Sequence, residues 1–424
     1  MQSLYLLLHY LLTIAYLAAP VALVLMALRR RGNGGPPPLA ALGTFAAGTA
    51  MGISLAVVYA VAVKGRVSIS QAVLAAYLAT SLMILLRAFD ALLQGLIWRI
   101  SVRTEAVEEG RPPVIRVHRL LALGGNLTRV LVLFGFGLPF VMSAVVTYRP
   151  KVHLIDDPMS QLGWFYEPVR FEATDGVRIS GWFIPAQDGA RRLHSRKTAI
   201  LCHGLGANKS NHLVLGRLLV PAGYNLLVID HRAHGESAGQ LSSFGDLERR
   251  DVLGAVRWLR QSRPQSAERI FGVGASQGAA AVLAAAVDRS PEGQAIEAVA
   301  LYGSFDDLQA LAGSLADKTF LPPFNWLLEA LALPIASAHV GADLAAFKPA
   351  ELADQLWPRP ILIIHGVKDQ IIDFRHGQML FDRATQPKQS LWIDHGDHNS
   401  IISSDEAAAA VLHFFETARA MPLI

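Results

Sequence analysis

Three side chains in the C-terminal half of the chain have the types and the order that nucleophilic catalysis needs. Ser276 lies in the segment Gly-Ala-Ser-Gln-Gly at residues 274–278. Asp369 follows the apolar segment RPILIIHG, and His398 follows the apolar segment QSLWIDHG. A serine hydroxyl becomes an effective nucleophile when a histidine accepts its proton and a carboxylate orients that histidine. The three residues therefore predict a Ser-His-Asp triad.

The glycine-rich turn around Ser276 has two incompatible interpretations. A dinucleotide-binding fingerprint, G-x-G-x-x-G, begins correctly at Gly272 and Gly274, but Gln277 occupies the third glycine position and Gly278 comes one residue late. The acidic residue expected about 20 positions further on is also missing. A G-x-S-x-G turn between a strand and a helix instead holds a strained serine, with glycines where the backbone approaches itself closely. The spacing favours a nucleophilic serine over a cofactor site.

Two residues compete for the acid and base roles. We favour His398 over His395 because His395 falls at the end of its apolar segment, and Asp369 over Asp373 because Asp369 is closer to its strand. The single cysteine, Cys202, excludes an intrachain disulfide and is expected to be a buried strand residue rather than a nucleophile.

Several histidines lie in other loops of this half of the chain. His231 and His234 have H-x-x-H spacing, but no convergent carboxylate is evident beside them. His203 and Asp230 are expected to shape loops next to the site rather than to bind a metal. We therefore predict neither a metal ion nor a cofactor.

The elements that must position these residues alternate between strands and helices. An alternating hairpin around Asp175-Gly176 opens the series, between Val169 and Pro185. Short apolar strand segments follow at 197–204, 224–230, 269–276, 296–303, 359–366 and 389–396. Such alternation predicts a mostly parallel sheet with helices on both faces, and the hairpin would form an antiparallel edge. The 55 residues between Gly303 and Arg359 exceed an ordinary connection, so we expect an inserted helical cap at about 304–358.

The N-terminal third has a different composition. The whole chain is 52% hydrophobic and 17% charged, which indicates membrane segments. Four apolar runs are long enough to span a bilayer: 4–28, 39–63, 69–97 and 130–148. We therefore predict a membrane domain at 1–149, a linker at 150–167 and a catalytic domain at 168–424.

Charge indicates the orientation of this membrane domain. Residues 1–151 carry 14 Lys and Arg against 4 Asp and Glu, so the basic excess belongs to the apolar part and a nucleic-acid partner is not expected. Nine of the basic residues lie in the loops after the first and third runs, which places those loops inside. The catalytic domain of this multi-pass protein would then be extracytoplasmic, in the periplasm or the extracellular space.

The chain from about Phe171 to Phe415 resembles the α/β-hydrolase superfamily, in its peptidase/esterase-like branch. The matching motifs are D-G at 175–176, H-G-L-G-A-N at 203–208, D-H-R-A-H-G-E-S at 230–237, G-A-S-Q-G at 274–278, H-G-V-K-D at 365–369 and H-G-D-H-N at 395–399. The resemblance implies that Ser276 is the nucleophile, Asp369 the acid and His398 the base. It also implies an oxyanion hole made by the backbone N–H groups of Leu205 and Gln277. One departure is Ala233, where the superfamily often has glycine.

We therefore expect an α/β-hydrolase fold and a membrane-anchored serine hydrolase that cleaves an ester, thioester or amide bond through an acyl-enzyme. The expected partners are the lipid bilayer and a small-molecule or lipid-like ester, with a peptide substrate as the alternative within hydrolases. A non-catalytic binding or scaffold protein that retains the fold is the alternative from another class.

Overall fold

The computed structural model describes residues 21–22, 25, 46–50, 53, 80, 83–84, 138–148, 151–152, 156–319 and 324–418. The chain divides into two compact units, Met1–Gly135 and Phe136–Ile424. All the strands that the structure describes belong to the second unit. The predicted spans 4–28, 39–63 and 69–97 fall in the first unit and lie outside the described residues except for short pieces.

Strands and helices alternate through the second unit. The strands are β1 Glu167–Glu172, β2 Arg178–Ile184, β3 Gln187–Asp188, β4 Arg191–Arg192, β5 Lys197–Cys202, β6 Asn225–Ile229, β7 Arg269–Ala275, β8 Ile296–Tyr302, β9 Ile361–Gly366 and β10 Lys388–Ile393. The helices are α1 Leu138–Thr147, α2 Pro158–Leu162, α3 Arg249–Ser262, α4 Gln277–Ala286, α5 Pro291–Gln294, α6 Leu308–Thr319, α7 Phe324–Val340, α8 Pro349–Ala353, α9 Phe374–Arg383 and α10 Asp405–Thr417. Short 3₁₀ helices include Lys209–Gly216 and Ser400–Ser403.

Eight of these strands form one sheet in the order β1-β2-β6-β5-β7-β8-β9-β10. The six strands from β6 to β10 are parallel, whereas β1 and β2 form an antiparallel hairpin that joins the sheet at β6. The mostly parallel sheet with an antiparallel edge is therefore confirmed. Because parallel strands end at the same edge, the loops after β5, β7, β8, β9 and β10 meet there.

Apolar side chains cover both faces of the sheet. On one face, α3 and α4 bury residues such as Val256 and Val282 against the strands. On the other face, α10 buries Phe414 and Phe415 in a cluster that includes Phe271 of β7. The central strands are consequently apolar on both sides, as expected for a parallel sheet between two helical layers.

The segment predicted as a cap contains α6 and α7. Residues of this segment, including Phe305, Leu311 and Leu333, form a third buried cluster with Ala280 and Ala284 of α4. The cap therefore packs directly on the helix that follows Ser276.

Helix α1 lies within the predicted span 130–148 and packs along the cap helix α7. The Ser143 hydroxyl donates a hydrogen bond to the Ala332 carbonyl at 2.6 Å, and Thr147 Oγ1 lies 3.4 Å from His339 Nδ1. The Thr147 carbonyl also accepts the Ser242 N–H at 2.8 Å. Among the residues that the structure describes, no helix has the length and apolar character needed to cross a membrane.

Helix α3 approaches the hairpin so closely that only glycine fits at position 254. A Cβ atom there would lie 2.5 Å from the Glu172 carbonyl oxygen and 2.7 Å from Ala173 Cα. We expect Gly254→Ala to lower the free energy of unfolding by about 1–3 kcal/mol, because the helix must move away from the sheet. Urea unfolding monitored by circular dichroism measures this change.

The exposed Gln261 on the same helix provides the control, since Gln261→Ala should change the stability by no more than about 0.5 kcal/mol. Equal stability of Gly254→Ala and the unaltered protein would show that this close approach does not constrain the fold.

Candidate active site

The turn between β7 and α4 holds Ser276 in an unusual backbone conformation. Its φ is 53° and its ψ is −120°, a region that residues other than glycine rarely adopt. The Ser276 N–H donates to the Tyr302 carbonyl at 2.8 Å, which ties the turn to the end of β8. A Cβ at Gly274 would lie 2.3 Å from the Gly278 carbonyl oxygen, so the backbone crosses itself without room for a side chain. These are the features of a strained strand-to-helix turn that presents a serine hydroxyl.

The loop after β5 lies directly against this turn. A Cβ at Gly204 would be 3.3 Å from Ser276 Cβ and 3.9 Å from its Oγ. Leu205 follows in the chain, and Gln277 is the first residue of α4, where a backbone N–H has no acceptor within the helix. The structure therefore brings Ser276 together with both residues from which oxyanion donors are expected.

The predicted acid and base are hydrogen-bonded to each other. His398 Nδ1–H donates to Asp369 Oδ2 at 2.6 Å, and the other carboxylate oxygen accepts the N–H groups of Ile371 at 2.9 Å and Ile372 at 2.8 Å. This arrangement fixes the imidazole with its Nδ1 protonated and leaves Nε2 to act as an acceptor. Asp369 is buried, so water competes little for its oxygens.

The imidazole of His398 also lies beside the serine turn. A Cβ at Gly303 would be 3.3 Å from His398 Nδ1 and 3.4 Å from its Cε1. Gly303 follows Tyr302, whose carbonyl accepts the Ser276 N–H. The loops after β7, β9 and β10 carry the serine, the aspartate and the histidine, and the end of β8 contacts both the serine turn and the imidazole.

The competing residues lie elsewhere. His395 is exposed in the turn after β10. Asp373 caps α9, where its carboxylate accepts the N–H of Arg375 at 3.0 Å, and this hydrogen bond lowers the pKa of Asp373. The Asp369–His398 pair is the one that the structure assembles beside Ser276.

A cluster of buried histidines surrounds the loop after β5, although the spacing of these residues in the sequence does not indicate that they are neighbours. The rings of His212, His231 and His234 lie 5.0–6.3 Å from that of His203. Burial holds the pKa of His203 well below its usual range, lowers that of His212 to about 4 and lowers that of His234. These three imidazoles are therefore neutral at neutral pH. Among the described residues, no group of three or more His, Cys, Asp and Glu side chains is arranged to hold a metal ion.

Buried ion pairs fix the loop that follows β6. Lys209 Nζ lies 2.7 Å from both Asp230 and Glu236 and has no exposed side-chain surface. Arg232 bridges Asp175 and Asp251 at 2.8 Å each.

The ion pairs of Arg232 also affect Asp175, which lies in the turn between β1 and β2. Although burial opposes it, the adjacent guanidiniums of Arg232 and Arg250 lower the pKa of Asp175 to about 2. Ala233, where glycine is common in the superfamily, adopts a φ of 63°, so the loop keeps the left-handed conformation that glycine would favour.

Comparison with known proteins supports the same interpretation. Residues 177–323 match the X-Pro dipeptidyl-peptidase (S15) family. The YfhR protein of Escherichia coli K12 is 30% identical over 235 residues, which cover 55% of this chain and 74% of YfhR. The Salmonella typhi protein of the same name is 30% identical over 264 residues, which cover 59% of this chain and 82% of that protein.

Solved structures share the fold. The Pyrococcus furiosus esterase Pf2001 superposes with a TM-score of 0.53 at 24% identity, covering 64% of this chain and 98% of the esterase. This likeness shows the fold, and the match to the S15 family supports a serine hydrolase of esterase or peptidase type. The chain belongs to the same family as the YfhR proteins, within the α/β-hydrolase superfamily, and is a serine hydrolase.

Proposed function

We propose that the protein is a membrane-anchored serine hydrolase that cleaves an acyl ester, thioester or amide through Ser276, His398 and Asp369. The observation that carries this proposal is the 2.6 Å hydrogen bond between His398 Nδ1 and Asp369, placed beside the strained Ser276 turn. This pair supplies the two things that a serine nucleophile needs, a base and a carboxylate that orients it.

In the proposed reaction, His398 Nε2 removes the proton from Ser276 Oγ as that oxygen attacks the substrate carbonyl. The N–H groups of Leu205 and Gln277 stabilise the oxyanion of the tetrahedral intermediate. His398 then donates its proton to the leaving group, and the acyl group remains on Ser276. Water, activated by the same histidine, attacks the acyl-enzyme and releases the acid.

We expect Ser276→Ala to abolish labelling by a fluorophosphonate probe, because the probe reacts with an activated serine hydroxyl. Asp369→Asn should lower kcat by about 10⁴-fold, since the asparagine no longer stabilises the imidazole in its reactive form. Gel fluorescence and ester hydrolysis measure the two effects.

The matched controls are His395→Gln and Asp373→Asn, which alter the competing residues and should retain labelling and near-normal kcat. Persistent labelling of Ser276→Ala, or an equal loss in Asp373→Asn and Asp369→Asn, would contradict the assignment.

Features of the cap support an acyl ester with an apolar acyl chain as the substrate. Trp326, Ala330 and Pro334 are exposed on α7 at intervals of four residues, so they form an apolar stripe along one side of the helix. Trp326 is 63% exposed. An apolar cap over the carboxyl edge of the sheet suits an apolar acyl group better than a charged peptide.

The match to the X-Pro dipeptidyl-peptidase family favours a second candidate, a serine peptidase. Hydrolysis of p-nitrophenyl acyl esters and of Xaa-Pro p-nitroanilides by the detergent-solubilised protein separates the two. We expect kcat/KM for an eight-carbon acyl ester to exceed that for the anilide by at least about 100-fold, because the apolar cap contributes transition-state binding only to the ester. Preferential cleavage of the anilide, abolished in Ser276→Ala, would establish the peptidase instead.

Membrane anchoring is supported by the four apolar runs of the sequence and by the basic residues concentrated around them. The same charge distribution supports an extracytoplasmic catalytic domain.

We expect the full-length protein to stay in the membrane pellet after alkaline carbonate washing and to be released by detergent, because spanning helices resist extraction. Protease added outside intact spheroplasts should degrade a C-terminal tag. Release by carbonate would contradict a spanning anchor, and protection of the tag in intact spheroplasts would reverse the proposed orientation.

A further inference from the structure

The loop that carries Leu205 is held on both sides by buried histidine side chains. We propose that His234 is a positioning residue that, together with His203, aims the Leu205 N–H at the substrate oxyanion. The inference rests on the proposed function, since it assigns a role within the same reaction. The segment Gly204–Ala207, which contains Leu205, is called the oxyanion loop.

His234 reaches the oxyanion loop from the loop after β6. Its Nδ1 lies 2.9 Å from the Arg232 carbonyl, which can only accept, so the ring proton is on Nδ1. The Nε2 atom is therefore an unprotonated acceptor, and it receives the Gly206 N–H at 3.1 Å. This hydrogen bond fixes the residue that directly follows Leu205.

His203 fixes the other side of Leu205 with the same tautomer. Its Nδ1–H donates to the Gly204 carbonyl at 2.8 Å, and its Nε2 accepts the His231 N–H at 3.0 Å. The Gly204 carbonyl also accepts the Ala207 N–H at 3.2 Å.

In a trans peptide the carbonyl and the next N–H point in opposite directions. Holding the Gly204 oxygen toward His203 therefore directs the Leu205 N–H away from that ring. Gly204 is also the residue that contacts the Ser276 side chain.

Two backbone N–H groups of the oxyanion loop make hydrogen bonds within the fold, and one is left for the substrate. Gly206 donates to His234 and Ala207 donates to Gly204. Within the described part of the chain, the Leu205 N–H has no such acceptor. A preorganised donor of this kind is what stabilises an oxyanion without reorganising during the reaction.

The backbone on both sides of His234 is fixed by hydrogen bonds to buried carboxylates. Asp230 accepts the Lys209 N–H at 2.7 Å with one oxygen and the Glu236 N–H at 2.9 Å with the other. The Arg232 N–H and guanidinium both donate to Asp251. Because these contacts immobilise the backbone on either side of His234, the position of its Nε2 is determined by the fold rather than by the substrate.

The test compares two amide substitutions whose polar atoms lie at different distances from the backbone, one reaching only the Nδ1 position of His234 and the other the Nε2 position. His234→Asn keeps an N–H near the Arg232 carbonyl but is too short to reach Gly206, whereas His234→Gln can place its carbonyl oxygen where Nε2 lies. His212→Asn is the control, because this buried histidine belongs to the same cluster and, among the described residues, neither of its ring nitrogens has a hydrogen-bond partner.

We expect His234→Asn to lower kcat by roughly 10- to 100-fold with KM changed by less than about threefold, because the Leu205 donor is displaced rather than deleted. The inhibition constant of a trifluoromethyl ketone that forms a tetrahedral adduct with Ser276 should rise by the same factor. His234→Gln should recover most of both losses, and His212→Asn should show neither. Thermal unfolding of each variant identifies a general loss of structure.

Equal losses of kcat in His234→Asn and His234→Gln would overturn the proposal, and so would a change confined to KM or a matching loss in His212→Asn. The outcome is separable from the proposed function, because fluorophosphonate labelling of the unaltered protein tests Ser276 independently. Normal labelling and ester hydrolysis with no effect of His234→Asn would leave the hydrolase intact and reject the positioning role alone.

Discussion

The site depends on the contact between the first turn of α4 and the end of β5. At Gly278 a Cβ atom would lie 2.4 Å from the Cys202 carbonyl oxygen and 2.5 Å from that of His203. The backbones of the two elements touch, so the helix cannot shift or rotate without breaking this contact. Because Gln277 is the first residue of the helix and Leu205 lies just beyond the strand, one steric constraint sets the separation of both proposed oxyanion donors from Ser276.

Charged side chains and neutral imidazoles stabilise different parts of the structure around this contact. The Lys209–Asp230 ion pair links the loop after β5 to the end of β6, and the Arg232–Asp251 ion pair ties the loop after β6 to α3. The imidazoles next to the oxyanion loop are neutral, because burial lowers the pKa values of His203 and His234. Neutral rings can accept backbone N–H groups, which a doubly protonated imidazolium cannot do. The neutral rings of His203 and His234 therefore satisfy backbone N–H groups in and beside the oxyanion loop.

Much of this architecture was predictable because it follows from local chemistry. The glycines on either side of Ser276 and the turn residues after each apolar segment gave the sheet, its antiparallel edge and the positions from which Asp369 and His398 emerge. The apolar segments placed the strand bounds to within three residues, with the largest difference at the end of β10.

What could not be predicted depends on the fold bringing distant side chains together. His203, His212, His231 and His234 are separated by up to 31 residues and become neighbours only when β5 and β6 pair. Likewise, the tautomer of His234 is set by the Arg232 carbonyl, which no spacing of residue types reveals. A sequence pattern can identify the reacting groups. The residues that hold those groups in position are recognised only from contacts in the folded structure.

Helix α1 lies in the predicted fourth span, yet it makes contacts with the catalytic domain. Its final carbonyl, that of Thr147, receives the Ser242 N–H, and the Ser242 hydroxyl donates to the side chain of Gln277 at 2.8 Å. Removing the chain up to Tyr148 would therefore strip a surface from the cap helix and free the neighbour of a proposed oxyanion donor. A truncated form of the protein should therefore begin before α1. This helix belongs to the hydrolase unit and is not only a connection to the N-terminal unit.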